Sequence, residues 1–199
     1  MGRNKSYERD DLVDRAMDLF RDHGFAGTST QMLVEALGVN RYSVYAEFGS
    51  KQALFDAALE RYDALVVDRN FSPLEAPGAG VEEIRALFSF FAAASKGPAA
   101  GRGCLLCNTA VEFGPKDPGG AGFVRRYFKR IRKAFQNALG NANDRGDLLT
   151  HVAIRDEADF FTSAVLGLFV MLRAKAPPSA VKNAARVATE HLQTLMPPA

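Results

Sequence analysis

From Leu12 to Leu195 the apolar residues of this chain return every three or four positions and almost nowhere alternate. That spacing fits one face of a 3.6-residue helix and not the two faces of a strand. It predicts an all-α protein. The punctuation agrees, because Gly24, Gly38 and Gly49 each stand just past an apolar stripe, where a helix-ending left-handed residue fits. Leu12, Ala16, Leu19 and Phe20 form the first stripe, with Phe25 beyond its glycine. Thr28 to Gln31, Thr-Ser-Thr-Gln, reads as a capping box with Thr28 as N-cap and Gln31 reaching back. Met32, Leu33, Ala36 and Leu37 follow, then Asn40 caps a helix that Gly49 ends after Phe48. Ser50 caps a longer helix bearing Leu54, Ala58 and Leu65.

The helix after Asn40 is barely apolar enough to anchor itself. Within GVNRYSVYAEFGSK (38–51) the candidates for burial are Val39, Val44 and Phe48, with part of Tyr45. A helix with so thin a stripe leaves most of its surface for contact with something else. Two short helices around a glycine turn over residues 28–48 form the helix-turn-helix pattern. Period and caps alone fit a plain helical hairpin equally well.

The wider stretch GFAGTSTQMLVEALGVNRYSVYAEFGSKQALF (24–55) resembles the DNA-binding region of the tetracycline-repressor (TetR/AcrR) family of one-component transcriptional regulators. The matching positions are Leu19-Phe20, Gly24-Phe25, Thr28, the turn of Ala36, Gly38 and Val39, then Tyr45, Phe48, Lys51 and Leu54-Phe55. Tyr42 stands where glycine is frequent, and Glu47 where histidine often precedes the phenylalanine. Those departures bear on base preference, not on the mode of binding. The resemblance implies an N-terminal three-helix helix-turn-helix domain over residues 1–50 and a helical ligand-binding and dimerisation domain over 51–199. Its partners are then double-stranded operator DNA, a small-molecule effector and a second copy of the chain, and the family habit is repression.

Under that resemblance Arg41 is placed to pair with guanine, while Tyr42 and Ser43 reach bases or phosphates. Tyr45 and Lys51 become phosphate contacts, and Thr28 and Thr30, with Gln31 and Asn40, sit at positive helix starts suited to phosphate. Arg3 and Lys5 form a short basic arm that reads equally as solvated surface. The net charge of +2 makes no global case for nucleic acid, and residues 1–60 hold seven Lys and Arg against ten Asp and Glu. The first helix carries most of that acid, Glu8, Asp10, Asp11, Asp14, Asp18 and Asp22, which must point away from any duplex.

Eleven of the fifteen phenylalanines follow residue 65. Pro73 to Gly80 reads as a connector, residues 82–95 as a helix with Ile84, Leu87, Phe88 and Phe91 inward, Cys104 to Phe113 as a short helix, and 114–122 as a loop. Residues 123–139 place Val124, Tyr127, Phe128, Ile131, Phe135 and Leu139 on one side and six basic residues between Arg125 and Lys133 on the other. This basic face is either the solvated side of a bundle helix or the contact surface of a non-enzymatic adaptor for an acidic partner or membrane. The family keeps an effector pocket in this half, and Phe88, Phe91, Cys104, Phe113, Tyr127 and Phe128 are its candidate walls, suited to an apolar ligand. Aromatics at helical spacing also read as plain core. The last two helices, 155–175 and 178–195, supply the family's dimer interface; Phe161, Val165, Leu168 and Leu172 with Val187, His191 and Leu195 are the candidate stripe.

GRGCLLCN (101–108) resembles a subset of the family with Gly-Cys-Leu at a helix start, some of which sense electrophiles or oxidants through a cysteine. Cys104 and Cys107 read alternatively as small apolar core residues. As metal ligands they lack a second pair, and as a thioredoxin-like centre they lack strand-helix-strand context, so neither a metal nor a cofactor is expected. His23, His151 and His191 lie on separate segments with no nucleophile or phosphate loop, which argues against an enzyme. No apolar run reaches the roughly 20 residues of a membrane span, and the first residues lack a signal segment, so a cytoplasmic location is expected.

Overall fold

The computed structural model describes residues 7–97, 100–114 and 120–198; the basic arm of Arg3 and Lys5 lies outside the described residues. Among these residues the chain forms α1 (Arg9–Gly27), α2 (Thr30–Leu37), α3 (Arg41–Phe48), α4 (Lys51–Tyr62), a π turn (Asp63–Val67), α5 (Asp68–Glu75), α6 (Val81–Ala94), α7 (Leu105–Glu112), α8 (Ala121–Asp144), α9 (Ile154–Arg173) and α10 (Pro178–Thr194). The all-α expectation holds.

The first three helices close on Leu12, Val13, Ala16 and Phe20 of α1, Leu33 and Leu37 of α2, and Val44 and Phe48 of α3. Asn40 Oδ1 accepts from the Ser43 amide at 2.8 Å and Ser50 Oγ from the Ala53 amide at 3.0 Å, as the sequence indicates. The cap of α2 differs. Ser29 takes the role assigned to Thr28, its Oγ accepting from the Met32 amide at 3.2 Å. Gly24, at φ +74°, breaks α1 and folds its last turn back, so that Thr28 is wholly buried and donates to the Gly24 carbonyl at 2.6 Å. Thr28 therefore braces the kink, with its hydroxyl turned inward and not to the surface. Gln31 donates to Glu35 at 2.7 Å rather than reaching back.

Two further expectations are corrected in the long arm that leaves the N-terminal bundle. The π turn inserts about one extra residue, which swings all later side chains by roughly 100°. Leu65, expected inside, is 44% exposed, and Val67, Phe71 and Leu74 are buried in its place. The helix also continues through Pro73 to Glu75, where a connector is expected; in a helix this short the ring removes only one backbone bond near the end.

Helices α6, α8, α9 and α10 wrap the second core. Phe88 stacks on Phe135 and tilts against Phe161, while Phe91 meets Phe169 edge-on at 4.8 Å. The basic side of α8 is partly spent inside the protein. Arg130 donates to Glu75 and Asp68 at 2.7 Å each, tying α8 to α5, and Arg132 pairs with Asp159 of α9.

Most of the expected dimer stripe faces inward in the protomer. Phe161, Val165, Leu168 and Leu172 of α9, and Leu195 after α10, are buried in the core of their own protomer. α9 is apolar on two faces, and its outer face is Phe160, Ser163, Gly167 and Val170, with Phe160 40% and Val170 56% exposed. On α10, Val187 at 52% exposure and the half-buried His191 share that outer side, where the His191 ring lies 4.5 Å from Phe160. Among the described residues no helix is long and apolar enough to cross a membrane.

Candidate nucleic-acid interface

α3 is held by its back and open at its front. Val44 and Phe48 anchor it in the bundle, Arg9 lies over the Phe48 ring at 5.2 Å, and Tyr45 Oη meets Thr30 Oγ1 of α2 at 3.1 Å. The turn between α2 and α3 is fixed by Gly38 at φ +68°, a conformation that favours glycine, and by Arg15, which donates to the Leu37 carbonyl at 3.1 Å. With the back so fixed, the first turn of α3 projects Arg41, Tyr42 and the half-buried Ser43, and Tyr42 is 82% exposed. Arg41 rests on the Tyr45 ring at 5.6 Å within the same helix. Lys51, at the start of α4, stands 4.3 Å from the Phe25 ring centroid. Gln31 is exposed beside this face; Asn40 spends its carbonyl oxygen on capping.

The acidic face of α1 turns elsewhere, as the charge argument requires. Asp14 takes a bidentate pair from Arg61 of α4 at 2.7 and 3.0 Å, and that hydrogen bond holds its carboxyl below the usual range against the opposing effect of burial. Asp18 and Asp22 receive Arg102, from the segment before α7, at 2.7 and 2.6 Å.

The end of α1 is the joint between the N-terminal bundle and the remaining helices. A helix broken by Gly24 leaves orphan carbonyls before the break and orphan amides after it. Arg173 of α9 donates to the Arg21 carbonyl at 3.0 Å and the Asp22 carbonyl at 3.1 Å. Glu112, the last residue of α7, accepts from the Phe25 amide at 2.8 Å and the Ala26 amide at 2.5 Å. Arg21 in turn donates to the Gly103 carbonyl at 2.9 Å. Phe113 packs in this joint, its ring 5.4 Å from Phe25 and 5.7 Å from Phe55. Nothing in the local pattern of the sequence marks Glu112, Arg173 or Arg21 for these roles.

Comparison with known proteins matches residues 12–58 to the model of bacterial regulatory proteins of the tetR family and residues 80–188 to the tetracyclin repressor-like C-terminal domain. The chain belongs to the TetR family. It is 37% identical over 152 residues to the HTH-type transcriptional regulator YezE of Bacillus subtilis (strain 168), covering 74% of this chain and 76% of that protein. It is 31% identical over 177 residues to the HTH-type transcriptional repressor ComR of Escherichia coli (strain K12), covering 86% and 82%. Among solved structures, a cysteine mutant of the TetR family regulator CifR complexed with 26 bp double-strand operator DNA superposes with a TM-score of 0.84 at 25% identity, over 95% of this chain and 98% of that one. This TetR-family chain is thus a DNA-binding transcriptional regulator and not an enzyme, and the adaptor reading of the α8 basic face falls away.

Several of the expected pocket walls of this family member pack against other rings of the core. Phe88 and Phe91 are consumed by the aromatic pairs of the core, and Phe128 lies half-buried beside Tyr127. Tyr127 does border a cleft of about 360 Å³, with Glu60, Asp63, Ala64, Leu106, Phe123, Arg126 and Arg130. A second cleft, also about 360 Å³, opens at the α1 joint between His23, Gly24, Cys107, Asn108, Val111, Glu112, Val170 and Arg173. Cys104, the N-cap of α7, and Cys107 are buried free thiols between these clefts. Cys104 Sγ donates to Tyr127 Oη at 3.3 Å, and Cys107 Sγ lies 3.8 Å from the same oxygen. Burial pushes the Cys104 thiol up, but hydrogen bonds from Cys107, Tyr127 and the Cys107 amide outweigh it and bring it down to about 6. The Cys107 thiol moves the other way, raised by its hydrogen bond to Cys104 and by burial. Among the described residues Tyr62 Oη, also buried, has no partner in good hydrogen-bond geometry, yet stands near enough to Cys104 for each to shift the other.

Proposed function

We propose that this regulator is a homodimeric one-component repressor that holds a pseudo-palindromic operator through α3 of each protomer and releases it on meeting a small apolar or electrophilic effector. Residues 1–50 serve as the DNA-binding part, and 51–199 carry effector response and dimerisation. The observation that carries the reading is the open first turn of α3, where Arg41, Tyr42 and Ser43 stand on a rigidly backed helix with no side-chain bond to another helix among the described residues. Arg41 reads guanine, Tyr42 and Ser43 reach bases or phosphates, and Thr30, Gln31, Tyr45 and Lys51 line the phosphate track. ComR, a relative, is named a repressor, and CifR is complexed with operator DNA, which supports both halves of the reading. Dimerisation uses the outer faces of α9 and α10, on which Phe160, Gly167, Val170 and Val187 lie.

Binding of genomic DNA fragments by the purified protein, followed by titration of the best site, tests this. A dyad requires half-site centres about 34–36 Å apart or a multiple of that. Arg41→Ala should cost about 1–3 kcal/mol on the best site and relax its sequence preference. Lys51→Ala should weaken all sequences alike and lower the log-log salt slope by about 0.9. Unchanged binding in both variants would overturn the assignment of α3.

A further inference from the structure

We propose that the cleft at the α1 joint binds a small monocarboxylic acid with an apolar body, and that this ligand braces the joint and strengthens operator binding. The site is separate from the cleft beside Tyr127. The proposal rests on the regulator reading for its consequence but not for the binding itself.

The cleft holds a positive charge that the fold leaves unanswered. Arg173 donates only to neutral backbone, to the carbonyls of Arg21, Gly101 and Asp22 at 3.0, 3.3 and 3.1 Å. Among the described residues no carboxylate stands within ion-pair distance of it, whereas Arg61, Arg102, Arg130 and Arg132 each have one. A half-buried guanidinium is ordinarily paired. Its planar fork still has N–H groups to give, and a carboxylate is the partner that such a fork matches in both shape and charge.

Apolar walls adjoin that charge. Val111 of α7 is 86% exposed, Val170 of α9 is 56% exposed, and both border the cleft with the buried Cys107. At about 360 Å³ the space lies in the range of small-molecule pockets. An amphipathic anion satisfies both parts, with its carboxylate on Arg173 and its body on the valines. Glu112 borders the same cleft and limits the ligand to one carboxylate. Its own oxygens accept from the Phe25 and Ala26 amides, which draws its charge into the kink. That contact is close, because a Cβ on Gly24 would stand 2.8 Å from a Glu112 oxygen.

The consequence follows from where the walls come from. His23 and Gly24 belong to α1 of the N-terminal bundle, while Val111 and Glu112 belong to α7 and Val170 and Arg173 to α9. A ligand that touches all three helices keeps its full contacts only while the joint is closed, so it favours that arrangement. α1 shares its core with α2 and α3, and holding its end holds the placement of α3. The coupling is reciprocal: operator DNA must raise the affinity for the acid by the same factor that the acid raises the affinity for operator.

The test titrates the full-length protein, in the oligomeric state it holds, with naphthoate and with the neutral naphthamide by calorimetry. The acid should bind saturably and roughly tenfold tighter than the amide, since a charge-assisted pair outweighs a neutral one. Naphthalene dicarboxylate should bind more weakly than naphthoate. Arg173→Gln should erase the preference for the acid. Because that change also touches the joint, Val111→Glu provides a second variant; at so exposed a position it spares the protomer's packing and should weaken the acid about tenfold by like-charge repulsion while sparing the amide. In fluorescence anisotropy, naphthoate should tighten operator binding several-fold. Equal affinity for acid and amide, no saturable binding of either below about 1 mM, or an acid preference that survives both variants would overturn the site. Val170 also lies on the proposed dimer face, and a partner protomer that fills the cleft gives the second of these results. Operator affinity that is unchanged or lowered by bound naphthoate overturns the bracing. A protein that binds no operator counts against the regulator reading, and the comparison of acid with amide still judges the cleft.

Discussion

Charging the outer faces of α9 and α10 separates association from folding. Gly167 lies exposed on α9, and a Cβ added there meets nothing within 4 Å in the protomer; Val187 on α10 is 52% exposed. Gly167→Glu with Val187→Glu therefore leaves the protomer's packing intact, and replacing a mid-helix glycine returns about 0.5–1 kcal/mol of helix stability. In the proposed dimer the same pair of changes sets carboxylates from both protomers against one another in an apolar seam. Like charges so placed cost several kcal/mol, and since each ~1.4 kcal/mol is tenfold, the dimer Kd should rise by about 10³ or more. The inner face behaves in the opposite way. Val165 and Leu168 are buried in their own core, and glutamate at each places an unpaired charge there at a cost of about 3 kcal/mol or more apiece. Together these approach the whole ~5–15 kcal/mol stability of a typical domain, so Val165→Glu with Leu168→Glu should unfold the chain and not simply dissociate it. Sedimentation velocity with circular-dichroism melts distinguishes the two. A Gly167→Glu, Val187→Glu protein that stays a dimer, or a Val165→Glu, Leu168→Glu protein that folds as a stable monomer, refutes the assignment of faces.

Glu112→Ala removes the acceptor of the Phe25 and Ala26 amides, a loss comparable to that of a helix cap at about 1 kcal/mol. It should lower Tm by roughly 2–4 °C in a chain of this size and weaken operator binding several-fold without touching α3; calorimetry and fluorescence anisotropy read the two, and unchanged values in both would remove Glu112 from the joint. The lowered pKa of Cys104 sets a pH window for thiol chemistry. Its alkylation rate, followed as loss of the first free thiol in the parent protein, where Cys107 is held as a thiol, should stay nearly level above about pH 6 and fall about tenfold per unit below, because only the thiolate reacts. A rate that climbs steadily through pH 7 to 8, as for an ordinary cysteine, would contradict the donor arrangement around the sulfur.

What the sequence determines by itself is local. Apolar spacing alone specifies most of the helices, though not the run of α5 through Pro73, and Gly38, Asn40 and Ser50 mark helix boundaries that the structure keeps, because caps and glycine conformations depend on residues only a few positions apart. The outward front of α3 is legible for the same reason, since so few of its side chains can be buried. Tertiary structure decides the rest. Thr28 and Ser29 are equivalent as caps until the Gly24 kink turns one inward. α9 is apolar on two faces, and periodicity cannot say which of them its own protomer covers; packing against α8 and α10 takes Val165 and leaves Val170 outside. The acidity of Cys104 depends first on Cys107 in its own helix but also on hydroxyls from α8 and α4, and Glu112 finds its amide partners 87 and 86 residues away. Such groups meet only when the chain collapses around orphan donors and acceptors that must be satisfied, and a short window of sequence holds no record of where the other partner lies.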